Sequence, residues 1–304
     1  METSQRISGG SAPAPGERRF EFGRNWRRFL EVIDDERIEA AARSLGEMLE
    51  VERLDGRSFL DVGCGSGLFS LAARKLGASV RSFDFDRESV ACAVELKRRY
   101  CPEDSNWIIE TGSVLDGDYL SSLGKFDIVY AWGVLHHTGA MWEGMQRVGD
   151  LVSEGGRLCL SIYNDQGHVS RGWRGIKRVY QRLPTPLRPC LVLGVAAGQG
   201  AVRLGATLAA AGLRLVALRN PLLPFIHWYQ EAARRKQRGM HWWHDLVDWV
   251  GGYPFEVATP EAVFRFFRGR GFALSHLTTQ GCGHGCNEFV FVKSPAPPAE
   301  RAGG

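Results

Sequence analysis

The chain has 304 residues, 44% of them hydrophobic and 24% charged, enough for one large or two small domains around a core. That composition excludes a disordered chain, a collagen-like repeat and a disulfide-stapled miniprotein. Thirty-eight Lys and Arg against thirty-four Asp and Glu give a net charge of +4, too weak by itself to argue for a nucleic-acid surface, so no nucleic-acid partner is expected.

Residues 1–16 and 295–304 are rich in Pro, Ala, Gly and Ser. They read as tails, because they bury too little apolar surface to offset the entropy of ordering. No apolar secretory signal opens the chain. The seven cysteines are odd in number and scattered, so a reducing, cytoplasmic setting is expected.

From residue 52 the pattern alternates. Apolar runs at Phe59–Cys64, Val80–Phe85, Trp107–Val114, Phe126–Gly133 and Arg157–Asn164 read as buried parallel strands. Helical spacing falls between them, over Gly67–Leu76 and Arg87–Tyr100. Strand–helix repetition of this kind predicts right-handed crossovers and a doubly wound, mostly parallel sheet. The rhythm stops after Asn164 and resumes with a helix at Pro260–Arg270 and two further strands, FALSHLTTQ and EFVFVK. The reading is therefore an α/β, Rossmann-like, seven-stranded sheet with a largely helical insertion between strands five and six. Its parts are a 17–51 helical segment, a 52–164 core, a 165–259 insertion or cap, and a 260–294 return to the sheet.

The chemistry sits at the strand ends. Asp61-Val-Gly63-Cys64-Gly65-Ser-Gly67 leaves the first strand and opens a helix; glycines there let the backbone turn and approach a ligand closely. Leu68 stands where a dinucleotide fingerprint has its third glycine. The second strand ends on Asp84, a carboxylate able to accept from two ribose hydroxyls. The third ends in Gly112-Ser113-Val114, at the edge of an adenine.

These motifs resemble the class I S-adenosylmethionine-dependent methyltransferases, in the branch that includes the ubiquinone-biosynthesis O-methyltransferases. FLDVGCGSG, Asp84, GSVLD, FDIVYAWGVLHH and GGRLCLSIYN fall in the order that family has. The resemblance implies S-adenosyl-L-methionine as cofactor. Gly63, Gly65 and Gly67, with Cys64 between them, would line its methionine end, and Asp61 would orient the loop. Asp84 would hold the ribose, while Phe85, Ser113 and Val114 flank the adenine. Ser113 departs from the Asp the family often has there. In the resembling branch an N-terminal helix folds over the cofactor, which gives Arg24 or Asn25 to the methionine carboxylate and Trp26 to the cover.

On the acceptor side, His136 and His137 follow the fourth strand and are candidate general bases, with packing and a turn cap as the plain alternative. Trp132 would shield the cofactor or belong to the core. Tyr163, Asn164 and Asp165 end the fifth strand, as acceptor contacts or as an ordinary turn. In the insertion, His241-Trp-Trp-His244-Asp245 precedes a sharp stop at Gly251–Glu256. Near the C-terminus, Cys282-Gly-His284-Gly-Cys286-Asn287-Glu288 is a glycine-rich loop. His244 and His284 are further candidates for catalysis, and Asp245, Asn287 and Glu288 for acceptor binding. The C-x-H-x-C spacing does not wrap a tetrahedral ion, so no metal is expected.

The insertion also poses a membrane question. Cys190–Leu218 is apolar but interrupted by Gln199, Arg203 and Arg214, and no eighteen uncharged residues run together, so it is not expected to span a bilayer. Peripheral membrane contact through 190–218, packing on the core and a dimer contact all stand as readings. The helix carrying Arg171, Arg174, Lys177, Arg178 and Arg182 is a solvated face or a surface for anionic lipid or acidic substrate. The function that follows is O-methylation of a small or lipid-linked hydroxylated acceptor. The alternatives are N- or carboxyl-methylation of a peptide or other small acceptor, or a non-catalytic cofactor-binding module. Ala131-Trp-Gly-Val-Leu-His-His stands in place of the Asn/Asp-Pro-Pro-Tyr/Phe signature, against the amide- and base-methylating branch.

Overall fold

The computed structural model describes Trp26, Leu30 and residues 33–236, 242–281 and 285–295. The expected tail at 1–16 and most of that at 295–304 lie outside the described residues. The chain divides into two compact units, Met1–Ser170 with Pro254–Gly304, and Arg171–Tyr253.

The first unit runs α1 (Asp35–Leu49), β1 (Ser58–Val62), α2 (Leu68–Lys75), β2 (Ser79–Asp84), α3 (Arg87–Tyr100), β3 (Trp107–Thr111), α4 (Gly117–Leu123), β4 (Phe126–Trp132), α5 (Met141–Asp150) and β5 (Val152–Tyr163). Helices α6 to α9 follow, and then α10 (Pro260–Arg268), β6 (Phe272–Thr278) and β7 (Cys286–Lys293) complete the sheet. The seven strands stand in the order β3-β2-β1-β4-β5-β7-β6. Strands β1 to β5 pair in parallel, and β7 is antiparallel to both β5 and β6. Strand order reverses at β1 and β4, and the crevice outside their carboxyl ends is where ligands bind in such sheets.

Alternation along each strand sends neighbouring side chains to opposite faces. Phe59, Tyr130, Cys159 and Val290 meet Ile38 and Leu45 of α1, Leu71 of α2 and Leu96 of α3. Leu60, Val129, Leu158 and Phe291 meet Leu120 of α4, Met145 of α5 and Phe267 of α10 on the other face. The helices start where their caps dictate. Asp86 accepts from the Glu88 N–H at α3, and Thr259 from the Ala262 N–H at α10 with Pro260 behind it. Lys97, Arg98 and Arg99 end α3, matching the negative pole of its dipole.

Tyr130 breaks the economy of this core. It is 2% exposed, stacked on Phe69 and Trp132, and among the described residues its hydroxyl has no hydrogen-bond partner. A buried unmatched hydroxyl costs about 1–3 kcal/mol. Tyr130→Phe is therefore expected to raise stability by about 1 kcal/mol in urea unfolding; a variant less stable than the parent would mean the hydroxyl is satisfied in solution.

The second unit is helical: α6 (His168–Arg182), which begins in the first unit, then α7 (Arg188–Val216), α8 (Leu223–Lys236) and α9 (Trp242–Gly251). Helices α6 and α9 are joined by a buried lysine. Lys177 is fully buried, its ammonium donating to the Trp249 carbonyl and lying 4.6 Å above that residue's ring. Trp173 meets the Trp249 ring edge-on, and the Gln181 amide donates to the Gly251 carbonyl at 2.6 Å. Residues 254–259, placed in the insertion by the sequence, belong instead to the first unit. There the Asp165 N–H donates to the Ala258 carbonyl, and the Ala258 N–H to Tyr163.

Candidate functional site

The turn after β1 is built by three glycines in the left-handed region, Gly63, Gly65 and Gly67. At Gly63 the N–H donates to the Phe83 carbonyl of β2, and a Cβ would come within 2.3 Å of Val134. The segment after β4 thus packs directly on the β1 turn. At Gly65 a Cβ would meet the indole of Trp26 at 2.8 Å. Trp26 therefore lies against the glycine turn, and Arg99 ties the same N-terminal segment to α3 by donating to the Leu30 carbonyl.

Asp84 at the end of β2 orders this turn. One oxygen accepts from the Gly65 N–H at 3.0 Å, the other from the Asp86 N–H at 2.8 Å. Burial holds its carboxyl above the usual carboxylate range. Phe85 beside it is 62% exposed, an aromatic face beyond the carboxylate. Val114 is buried, while the Ser113 hydroxyl accepts from the Leu115 N–H and so forms the turn into α4. Cys64 has its thiol pushed well up, first by burial and then by Asp61 and Asp84, which keeps it protonated and unreactive.

Asp61 is buried and accepts from the Ser70 hydroxyl of α2 at 2.6 Å. Burial raises its pKa to about 7, with Asp84 adding to the shift. Among the described residues neither acid has a cationic side-chain partner. Two poorly compensated carboxylates beside a glycine turn suit a ligand that is itself positively charged. Between about pH 4 and pH 7 the folded chain keeps a proton on Asp61 that the unfolded chain releases. Stability therefore falls as pH rises through that window, at about 1.4 kcal/mol per pH unit at most. Asp61→Asn, which still accepts from Ser70, is expected to flatten that fall; urea melts at pH 5 and pH 8 measure it, and an unchanged slope would place the titration elsewhere.

The acceptor side gathers residues far apart in sequence. His136 is 1% exposed, and its Nδ1 accepts from the Tyr163 N–H at 3.3 Å. Its ring lies 3.8 Å from that of Tyr163, and its carbonyl accepts from the Glu256 N–H. His137 is only partly buried, and its Nδ1 lies 2.8 Å from the Pro254 carbonyl. A carbonyl only accepts, so Nδ1 carries a proton, and in the neutral ring the lone pair falls on Nε2. Tyr163 meets His137 edge-on and packs on Phe255. Glu256 accepts from the Met141 N–H at the start of α5. The sequence reading treated Gly251–Glu256 only as a stop, and did not single out Pro254, Phe255 and Glu256, which meet His136, His137 and Tyr163.

Other expected acceptor contacts fall differently. Asn287 is buried, its carbonyl accepting from the Gln280 N–H and its amide donating to Asn164. Asn164 in turn donates to the Gly281 carbonyl. Both amides are thus committed to joining the ends of β5 and β7, which departs from their expected role toward an acceptor. Glu288 lies one residue further into β7, opposite Ser161 and Thr278, its carboxyl raised by partial burial. Trp132 stacks on Tyr130 with the planes 5° apart, as part of the core. Asn25 and His284 lie outside the described residues, as do the side chains of His244 and Asp245. Among the described residues no three His, Cys, Asp or Glu side chains gather as metal ligands.

A family model described as a methyltransferase domain matches residues 33–276. The chain is 29% identical over 171 residues to a tRNA U34 carboxymethyltransferase of Psychromonas ingrahamii, covering 53% of this chain and 51% of that protein. It is 26% identical over 115 residues to a ubiquinone biosynthesis O-methyltransferase of Vibrio parahaemolyticus, covering 38% and 47%. The chain thus spans about half the length of these curated relatives. In fold it is similar to a magnesium protoporphyrin IX methyltransferase of Synechocystis PCC 6803, solved with bound S-adenosylhomocysteine. That likeness has a TM-score of 0.50 and 15% identity, and covers 90% of this chain and 94% of that one. A relative named for tRNA removes the support for excluding a nucleic-acid partner.

Proposed function

The chain belongs to the methyltransferase-domain family and is an enzyme that uses S-adenosylmethionine; from that premise we propose that it methylates a hydroxyl group of a small or lipid-linked acceptor, in the cytoplasm and at a membrane surface. Family membership removes the non-catalytic alternative. The observation that carries the hydroxyl reading is His137. Its Nδ1–H is held by the Pro254 carbonyl, so in the neutral imidazole the basic nitrogen is Nε2, on the segment after β4 that packs on the glycine turn.

The cofactor supplies a methyl group on a sulfonium, already a strong electrophile, so the protein's work is placement, exclusion of water and removal of a proton. Asp84 would hold the ribose and the turn of Gly63, Gly65 and Gly67 the methionine end, with Phe85 and Val114 flanking the base and Trp26 covering the turn. Asp61 offers negative charge toward the methionine end. As the acceptor oxygen takes the methyl group, its proton passes to Nε2 of His137. His136 positions this arrangement by holding Tyr163 and Glu256. A carboxylate acceptor would need no base, and a positioned imidazole is redundant for it.

Transfer of tritiated methyl from S-adenosylmethionine into fractionated extracts tests the reading. Label is expected in phenolic or other hydroxylated, solvent-extractable material, and stable to alkali as an ether is. Label released as methanol by alkali, or found in peptide or tRNA, would overturn it.

A further inference from the structure

Charge is divided unequally between the two units. Arg171–Tyr253 carries thirteen Lys and Arg against three Asp and Glu, a net +10, which leaves −6 on the remainder of the chain. Within it α7 has 29 residues, about 43 Å at 1.5 Å per residue. Only Val192 and Thr207 of that helix are buried. Val202, Leu213, Leu215 and Val216 stand out from it, and Leu218 just beyond its end is 97% exposed.

Arg203 and Arg214 do not interrupt this apolar surface. Arg203 lies 5.7 Å from the ring of Trp228 on α8, and the Arg214 Nε donates to the Asn220 carbonyl in the turn between the helices at 2.8 Å. Each guanidinium is engaged with α8 or its approach, and the exposed residues between them are Leu, Ala and Gly. A continuous apolar surface of this extent marks an interaction site.

We propose that α7 and α8 lie in the surface of an anionic phospholipid bilayer, with the apolar side of α7 among the upper acyl chains and the solvent-facing basic residues of the unit at the head groups. Charge selects this occupant. A second copy would set one +10 unit against another, and an RNA would satisfy the charge but leave the apolar face in water. The chain's connectivity argues for lying along the surface rather than crossing. Helix α7 is the one described helix long and apolar enough to cross a membrane, yet the segment leaves from β5 and returns to β6 and β7 of the same sheet. A return crossing would be required, and α8, at 14 residues, reaches only about 21 Å of a hydrocarbon core about 30 Å thick. The inference deepens the lipid-linked half of the function above, and vesicle binding is read independently of methyl transfer.

Co-sedimentation of the full chain with phosphatidylcholine vesicles, with and without about 30% phosphatidylglycerol, tests it. Partitioning is expected to be at least about tenfold stronger with the anionic lipid. The double variant Leu213→Glu/Val216→Glu is expected to lose at least about tenfold of that partitioning while keeping its affinity for adenosylhomocysteine. On the unaltered chain, brominated lipid is expected to quench tryptophan emission. Equal partitioning of parent and variant, absence of quenching, a dimer that the double variant dissolves, or tRNA binding lost in the same variant would each overturn the proposal.

Discussion

Alanine in place of Asp84 is expected to weaken binding of adenosylhomocysteine by about a hundredfold to ten-thousandfold. In the proposed site the carboxylate at the end of β2 would accept from two ribose hydroxyls, and hydrogen bonds to a charged group contribute about 1.5–3 kcal/mol each. Alanine also leaves the Gly65 and Asp86 N–H groups, which Asp84 now engages at 3.0 and 2.8 Å, without their acceptor. The glycine turn then loses its order along with its ligand contact. Titration calorimetry measures the loss, with thermal melting as the control for folding. Affinity within about threefold of the parent would remove Asp84 from the site, and with it the assignment of the β1 turn.

His137→Asn is expected to lower kcat by about a hundredfold to ten-thousandfold, the range for loss of a positioned general base. Affinity for adenosylhomocysteine and KM for the acceptor, once label transfer has identified it, should stay near the parent values. The adjacent substitution His136→Ala has a different signature. It leaves the Tyr163 N–H without its Nδ1 acceptor and opens a space under the Tyr163 ring, so stability falls by about 2 kcal/mol and activity falls with it. If both variants lose kcat alike while both remain as stable as the parent, the division of labour between the two histidines is wrong. Steady-state kinetics beside urea melts separates the cases.

Much of the first unit was legible because its strands are buried on both faces and read as continuous apolar runs. The β1, β2 and β4 runs fall within a residue or two of the strands found, and Arg87–Tyr100 is the whole of α3. Strand β5 begins earlier than expected, at Val152. Its opening residues, Ser153-Glu154-Gly155-Gly156, are polar or glycine, and its pairing with β4 is irregular between Phe126 and Ile128, so no apolar run announces it. Helix α5 carries Gly144 and Gly149 in ten residues, which masks its helical pattern. Its glycines are packing positions, since a Cβ on Gly149 would meet Phe267 at 3.3 Å.

The sequence alone determined the parallel sheet and the glycine turn and acid at its carboxyl edge. A glycine turn followed by a helix, and an acid at the tip of the next strand, are local arrangements whose chemistry is written within a few residues. Tertiary structure decided the rest. His136 and His137 are adjacent in sequence and indistinguishable there, but residues 254–256, returning after a helical excursion of some eighty residues, bury one and fix the tautomer of the other. The same holds for Asn164 and Asn287, which are occupied by each other across 123 positions, and for Arg203 and Arg214, whose contacts turn an interrupted apolar stretch into a continuous apolar surface. Roles of this kind depend on which groups satisfy a polar atom when it is buried, and those partners exist only once the chain has closed on itself.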